Sequence, residues 1–456
     1  MSKKAISYFK LHKIPILMVL GSLVFYASFG YDLVRTDFIK LLTLFAALFF
    51  LYYKLMQFEK WNFKFLVVVG ILFRLVFFIA EPNLSQDFYR FIWDGELIQK
   101  GINPYLQTPN ALIEQKNFAI ANAQELINGM GSLSAKHFSN YPPLNQLLFT
   151  IAAFLGGKSI LGSIIAMRVM IILADIGILV FGKKLLQNLN KPTHLIFWYF
   201  LNPLVLIELT GNLHFEGVML FFFVWAMYLV SLKKWALAAP VYAFSILLKL
   251  VPLLFLPFFL NYLGFKKSIG FYTLIGFTIV ISLIPFYSPE FVTNYSATVD
   301  LWFSNFEFNA GFYNAIKKLA VTYYEAKPWK LIKEYGDIIP FLVIACTISL
   351  TFLKDNKKLS TLFQSMLLVL TFYYFLSATV HPWYILSLLL LAVFTDYRFA
   401  IVWSGTVVLS YFAYSNADFK ENLWLIALEY LVAFSYLAYE LVKHNRFDLK
   451  KIFKIQ

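Results

Sequence analysis

Apolar stretches of bilayer-spanning length recur along almost the whole chain, and no other feature constrains its fold as strongly. They lie near 14–30, 38–56, 65–80, 160–181, 193–209, 214–231, 268–286, 337–353, 360–378, 383–395, 399–414 and 422–442. A spanning helix needs roughly 20 mostly apolar residues, fewer where protein surrounds it. The stretch 235–263 is too long for one span, and Pro252 and Pro257 interrupt it, which predicts two short packed helices. The sum is about 14 crossings, an all-α polytopic membrane protein. Of the 456 residues, 60% are hydrophobic, 20% aromatic and 14% charged, with a mean hydropathy of +0.69. That composition excludes a soluble globular enzyme, a disordered scaffold and a disulfide-stapled secreted domain. The single cysteine, Cys346, sits in an apolar run and supports neither a disulfide framework nor a Cys-based metal site.

Charge sets the expected orientation. The net charge of +14 reads as basic cytoplasmic loops facing anionic lipid rather than as a nucleic-acid surface. Lys54, Lys60 and Lys64 form one basic connection, followed by Lys183, Lys184 and Lys191, by Lys233 and Lys234, by Lys266 and Lys267, and by Lys354, Lys357 and Lys358. With the tail (Lys443, Arg446, Lys450, Lys451, Lys454), all fall on the side of the N-terminus, which is therefore cytoplasmic. The alternation requires the apolar stretch 143–156 to lie outside or to re-enter without crossing. Lys3, Lys4, Lys10 and Lys13 precede a full-length span with no small-residue cleavage site after it, so no cleavable signal peptide is expected. Two long connections, 81–142 and 288–336, land on the outer side, where loops of this length in a compact protein are usually functional. No internal repeat is evident, and one domain is expected.

The first outer loop opens EPNLSQDFYRFIWDGELIQKGINPY. Pro82 ends the preceding span and Ser85 is a candidate helix N-cap. From there Asp87, Arg90 and Asp94 fall at i, i+3 and i+7, two carboxylates and a guanidinium on one face. Phe88, Tyr89, Phe91, Ile92 and Trp93 on the other faces suit a helix at headgroup level. The same spacing serves an interfacial helix with an internal salt bridge or a functional face. Other polar groups recur at outer ends of spans: Glu208, His214 and Glu216 around a Gly-containing turn, Lys249, His381-Pro382-Trp383, and Tyr141-Pro142-Pro143. Each has an ordinary explanation, since a backbone carbonyl can satisfy His214 and Lys249 can snorkel. Together they indicate a shared polar cavity, because ionisable groups beside spans are costly unless paired or hydrated. Arg74 is left between Glu81, a ligand phosphate and helix packing; Arg168 and Asp175, two turns apart, read as structural contacts inside the bundle. Asn305, Glu307, Asn309 and Asn314, interleaved with Phe and Tyr, suit either a carbohydrate or an ordinary interfacial loop. Nucleotide-binding P-loop, zincin, nucleophile-elbow and dinucleotide motifs are missing, so an outward-facing enzyme would draw on a group carried by a lipid phosphate.

The run Gln86-Asp87-Phe88-Tyr89-Arg90-Phe91-Ile92-Trp93-Asp94-Gly95, followed by Gly101-Ile102-Asn103-Pro104-Tyr105, resembles the first extracytoplasmic loop of bacterial GT-C mannosyltransferase-like proteins. Tyr141-Pro142-Pro143-Leu144, Asn202-Pro203, Gly211-Asn212-Leu213-His214, Lys249-Leu250-Val251-Pro252 and His381-Pro382-Trp383-Tyr384 resemble later blocks of that family in the same order. The resemblance covers roughly 65–395, so 1–64 reads as a two-span addition and 396–456 as C-terminal spans with a basic tail. It implies a GT-C-like bundle of about 14 helices whose two long loops contain short interfacial helices. It further implies inverting transfer of a sugar, mannose first, from a polyprenyl-phosphate donor to a lipid, glycan or protein acceptor outside the bacterial plasma membrane. Asp87 would be the general base. Arg90, His214, Lys249 and His381 would face the departing phosphate, and Tyr141 and Glu216 would line the substrate site. Asp94 would orient Arg90, bind the acceptor or hold a metal. The close acidic pair of many GT-C enzymes is absent, since Asp87 and Asp94 stand seven residues apart. A divalent ion, Mg or Mn, is therefore not required, and these two are its only candidate ligands. Two competing readings are a transporter or flippase of lipid-linked sugars, which places charges at the midplane and shows repeat symmetry, and a non-catalytic subunit of a glycan-assembly complex.

Overall fold

A computed structural model describes residue 8 and residues 10–116, 118–304 and 306–452. Lys3, Lys4, Asn305 and Lys454, invoked above, lie outside these. The described chain is helical, and its only ladder contact is an isolated bridge between Phe308 and Thr379. Seven helices are long and apolar enough to cross a membrane: Lys13–Tyr31, Phe38–Glu59, Ile160–Asn188, Phe265–Phe286, Pro328–Leu353, Leu359–Leu376 and Leu423–His444. An eighth span results if Thr193–Phe200 and Pro203–Gly211, bent by 52° at Asn202, count as one. Shorter apolar helices occupy other expected crossings, among them Glu216–Ser231, Trp235–Ile246 and Phe399–Ser415. This is a polytopic helical membrane protein.

The chain forms two compact units. The first comprises residues 1–256 and 263–303. Its helices are α1 (Lys13–Tyr31), α2 (Phe38–Glu59), α3 (Phe63–Val76), α4 (Asp87–Gln99), α5 (Ala123–Ala135), α6 (Pro143–Gly156), α7 (Ile160–Asn188), α8 (Glu216–Ser231), α9 (Trp235–Ile246), α10 (Phe265–Leu283) and α11 (Pro289–Ser304). The interruption expected at Pro252 and Pro257 falls earlier: α9 stops at Ile246 and residues 247–250 are non-helical. Pro252 and Pro257 both fall inside the 3-10 helix Val251–Phe258 that follows, and Lys249 lies on the break ahead of it.

Arg74 settles on Asp175 rather than on Glu81. Its Nε and Nη2 approach Asp175 Oδ2 at 3.0 and 2.9 Å, Nη1 donates to the Gly70 carbonyl at 2.9 Å, and the guanidinium lies 3.9 Å over the Phe200 ring. Arg168 donates to the carbonyls of Thr210, Phe78 and Gly211 at 2.7, 3.0 and 3.2 Å. Both arginines therefore make structural contacts inside the first unit, the reading expected for Arg168 and Asp175.

Helix α4 packs on α5, α6 and α7. Of the five apolar and aromatic residues expected at the headgroup level, Phe88, Phe91, Ile92 and Trp93 are enclosed by protein and Tyr89 is half-buried, with Phe91 stacked on Phe149 at 4.4 Å and Trp93 against Phe118 at 5.4 Å. Apolar side chains that suit lipid suit a protein neighbour equally, and α5 and α6 supply it. Gly95 permits the approach of α6, since a Cβ there would meet the Phe149 carbonyl oxygen at 2.4 Å. Because backbone cannot move aside as a flexible side chain can, Gly95→Ala is expected to destabilise the fold by about 1–3 kcal/mol or more. Thermal unfolding in detergent checks it, and an unchanged melting temperature would contradict this packing.

The second unit comprises residues 257–262 and 304–456, with α12 (Gly311–Tyr324), α13 (Pro328–Leu353), α14 (Leu359–Leu376), α15 (Ile385–Val393), α16 (Phe399–Thr406) and α17 (Leu423–Ile452). Asn309 is its polar hub. The amide donates to Glu429 Oε1 at 3.1 Å, the same oxygen accepts from Trp403 Nε1 at 2.8 Å, and the Asn309 carbonyl accepts from Tyr430 at 2.8 Å. Glu307 binds Tyr313 at 2.8 Å and pairs with Lys317.

Candidate active site

The segment entering α4 is tied down on both sides. Ser85 is not the residue that flanks the helix; Gln86 is, and its amide donates to the Met130 carbonyl at 3.0 Å. Ser85 still serves the turn, its hydroxyl accepting from the Asp87 N–H at 3.3 Å. The Leu84 N–H donates to Asn212 Oδ1 at 3.1 Å, which joins this segment to the Gly-Asn-Leu-His block. The far end of α4 closes with a Gly-capped turn: Gly101, at φ +73°, donates to the Ile98 carbonyl, and Ile102 donates back to Leu97 at 2.9 Å. Asn103 then accepts from the Tyr105 N–H at 3.0 Å, and the buried Tyr105 hydroxyl donates to the Tyr141 carbonyl at 2.5 Å. The Gly101–Tyr105 block thus sets the position of Tyr141.

Asp87 is in the first turn of α4, where the helix dipole favours an acid. Glu216 occupies the same place in α8. Ahead of Glu216 the chain makes a π-helical turn over Leu206–Gly211 and places Leu213 at φ +62°, a backbone conformation costly for leucine. Lys249 reaches Glu216 Oε1 at 2.7 Å. It is held there from α6, since Asn145 Nδ2 donates to the Leu248 carbonyl at 2.6 Å and the Leu144 N–H to Leu247 at 3.3 Å. Burial holds the Asp87 carboxyl above the usual carboxylate range; the Lys249 charge opposes this, Glu216 adds to it, and Arg35 opposes it. The Tyr141 hydroxyl is also pushed up, by burial first and then by the Asp87 carboxylate. Both side chains are half-buried, as are Lys249 and Arg35, whereas Glu216 is buried. Each of the four is therefore partly accessible, whereas Glu216 is enclosed.

A folded-state pKa above the unfolded one means that the native state holds the proton more tightly. Its contribution to stability is full below the unfolded value of about 4 and is lost as pH rises through the folded value. Asp87→Asn is accordingly expected to unfold no more readily than the parent at neutral pH, the two converging below about pH 4. Paired melts across pH check this, and a variant less stable at neutral pH would contradict the environment described.

Arg90 and Asp94 have a different part. Arg90 Nε donates to Asp94 Oδ1 at 2.8 Å, and its Nη1 donates to the carbonyls of Ser134 and His137 at 2.8 and 3.1 Å. Asp94 Oδ2 accepts from Ser139 at 2.5 Å and Gln146 at 3.1 Å. Both residues are buried. With each Asp94 oxygen met by protein donors, the pair ties α4 to α5 and α6, the orienting role among those expected of Asp94. Among the described residues no group of three or more His, Cys, Asp or Glu is placed to hold a metal. His214 Nε2 lies 3.4 Å from Glu208 Oε2, both buried. His381 belongs to the second unit, where it stacks parallel on Trp383 at 4.3 Å and on Phe308 at 4.9 Å. Among these, Arg35 had no place in the sequence reading. Its signal was its type and place: a cation in the short connection between two apolar stretches, away from the basic clusters.

A sequence model of an N-terminal domain, described as that of alpha-(1->6)-mannopyranosyltransferases, matches residues 29–264, which include Arg35, Asp87, Tyr141, Glu216 and Lys249. Alpha-(1->6)-mannopyranosyltransferase A of Mycobacterium tuberculosis (strain ATCC 25618 / H37Rv) is 24% identical over 143 residues, 31% of this chain and 26% of that protein. The aligned part thus spans about a quarter of the length of that curated relative.

Proposed function

The chain belongs to the alpha-(1->6)-mannopyranosyltransferase family, and from that premise we propose that it moves mannose from a polyprenyl-phosphate donor to a hydroxyl of a glycan or lipid acceptor. The observation that carries this reading is a half-buried carboxylate, Asp87, that feels the charge of the half-buried Lys249, itself paired with Glu216 at 2.7 Å. In the proposed step the acceptor oxygen attacks the anomeric carbon, its proton passes to the Asp87 carboxylate, and the bond from that carbon to the phosphate oxygen breaks. Polyprenyl phosphate leaves with the electron pair, and Lys249 meets the charge it gains. One displacement inverts the centre, so an alpha product requires a beta-linked donor. Arg90 and Asp94 position α4, and Tyr141 lines the sugar side.

We place the site outside the bacterial plasma membrane and both termini in the cytoplasm, because the alternation expected from the sequence puts the basic connections on the side of the N-terminus. Membranes containing the protein are expected to pass label from polyprenyl-phosphate mannose into larger glycans or glycolipids when the donor is presented on the outer face. Label that stays in the donor across such acceptors would overturn the reading. Because the base must be ionised, the rate is expected to rise with pH through the elevated pKa of Asp87. In Glu216→Gln one influence raising that pKa is gone, so the acid limb of the rate profile should move to lower pH; a limb that stays put or moves up would contradict the assignment.

A further inference from the structure

A cavity of about 360 Å³ lies where the start of α1 meets the end of α2, and it shares no residue with the candidate active site. Lys10, Lys13, Leu11, Ile14, Phe58 and Glu59 are among the residues that line it. Both helices are long and apolar enough to cross a membrane, so this end of the pair stands at a membrane boundary. The walls of the cavity are fixed by hydrogen bonds. His12 Nδ1 lies 2.6 Å from Glu59 Oε1, and Asn62 Nδ2 reaches Glu59 Oε2 at 3.0 Å and the Tyr8 hydroxyl at 3.3 Å. The Tyr8 ring packs on His12 at 4.2 Å. Both oxygens of Glu59 are thus engaged, while Lys10 and Lys13 are exposed and have no ion pair among the described residues. The apolar rim faces outward: Leu11 is 78% exposed, Ile14 47%, Leu17 66% and Phe58 56%. Side chains exposed to this degree at the end of a spanning pair meet lipid, and Lys13, Ile14 and Leu17 share one face of α1.

We propose that this cavity binds an anionic phospholipid, Lys10 and Lys13 meeting its phosphate and Leu11, Ile14, Leu17 and Phe58 its acyl chains. Charge and rim together select that partner. A soluble phosphate would meet the two ammonium groups and gain nothing from the apolar rim, whereas a zwitterionic lipid would match the rim and bring its own cation beside the lysines. Glu59 does not oppose the anion, because His12 and Asn62 already hold its carboxylate.

The test titrates the full chain in detergent with a short-chain phosphatidylglycerol, with the phosphatidylcholine of the same chains and glycerol phosphate as separate probes. Wild type is expected to bind phosphatidylglycerol more tightly than phosphatidylcholine. The double variant Lys10→Gln/Lys13→Gln should weaken phosphatidylglycerol binding about thirtyfold, two lysines at an anionic headgroup, and leave phosphatidylcholine binding unchanged. Lys10→Arg/Lys13→Arg should keep the preference. Lys357→Gln/Lys358→Gln, which removes two exposed lysines from a different basic connection, should behave as wild type. A wild type without preference for the anionic lipid overturns the proposal, as does an equal loss in the two glutamine variants, which would mark general surface charge. An equal loss of phosphatidylcholine binding in Lys10→Gln/Lys13→Gln would mark damage to the chain and overturn it too. Glycerol phosphate competing as well as the lipid would overturn the assignment to a membrane-borne group.

Discussion

Asp87→Asn is expected to lower the rate of sugar transfer by about 10²–10⁴-fold, the usual contribution of a general base, in a protein that folds at least as well as its parent. Asparagine keeps the size of the side chain and removes only the ability to take a proton. The environment of Asp87 makes the expectation specific. Its carboxyl is held above the ordinary range by burial and by Glu216, so it is a stronger base than an exposed aspartate. The Lys249–Glu216 pair at 2.7 Å does not depend on it, so donor binding should persist in the variant. The expected pattern is therefore a fall in kcat with little change in donor KM. A large rise in KM with kcat preserved would make Asp87 a binding residue.

The largest loss of stability is expected from breaking Arg90–Asp94. Asp94→Ala leaves a buried guanidinium without its carboxylate, and Arg90→Ala leaves a buried carboxylate facing only Ser139 and Gln146. Removing one partner of a buried pair costs about 3–5 kcal/mol, so either variant should give poorly accumulating, easily unfolded protein. The double variant, with neither charge, should unfold less readily than the sum of the two single losses implies. Strictly additive losses would contradict a coupled pair. Because the pair ties α4 to α5 and α6, both single variants should lose activity through misplacement of Asp87, and activity per folded molecule separates that effect from a direct part in chemistry.

How much of this was readable beforehand depended on whether the signal was local. The apolar stretches placed the helices, and the i, i+4 relation of Arg90 to Asp94 carried the salt bridge. The sequence could not say that α4 is enclosed, because Phe91 and Trp93 suit lipid and protein alike; that depended on Gly95 admitting α6. The choice of Asp175 for Arg74, across 101 residues, likewise lies beyond any periodic pattern. The bonds from Asn83 to the Phe29 and Leu33 carbonyls, which fasten the connection after α1 to the segment entering α4, cross 50 residues or more and leave no periodic trace. The Gly101–Tyr105 block stood out as a motif, and its geometry shows a helix terminator and an anchor for Tyr141.

The charges of the site gather on helix N-termini and turns, with Asp87 opening α4, Glu216 opening α8 and Lys249 on the break after α9. This arrangement suits a reaction on a headgroup more than passage through a bundle. The decisive measurement uses the purified chain in nanodiscs with radiolabelled polyprenyl-phosphate mannose, a nucleotide-linked mannose in parallel, and a mannose-bearing lipid acceptor. Transfer from the lipid donor alone, with polyprenyl phosphate released mole for mole and both lost in Asp87→Asn, is the expected result. Transfer from the nucleotide sugar instead, or equal transfer by wild type and Asp87→Asn, would contradict it.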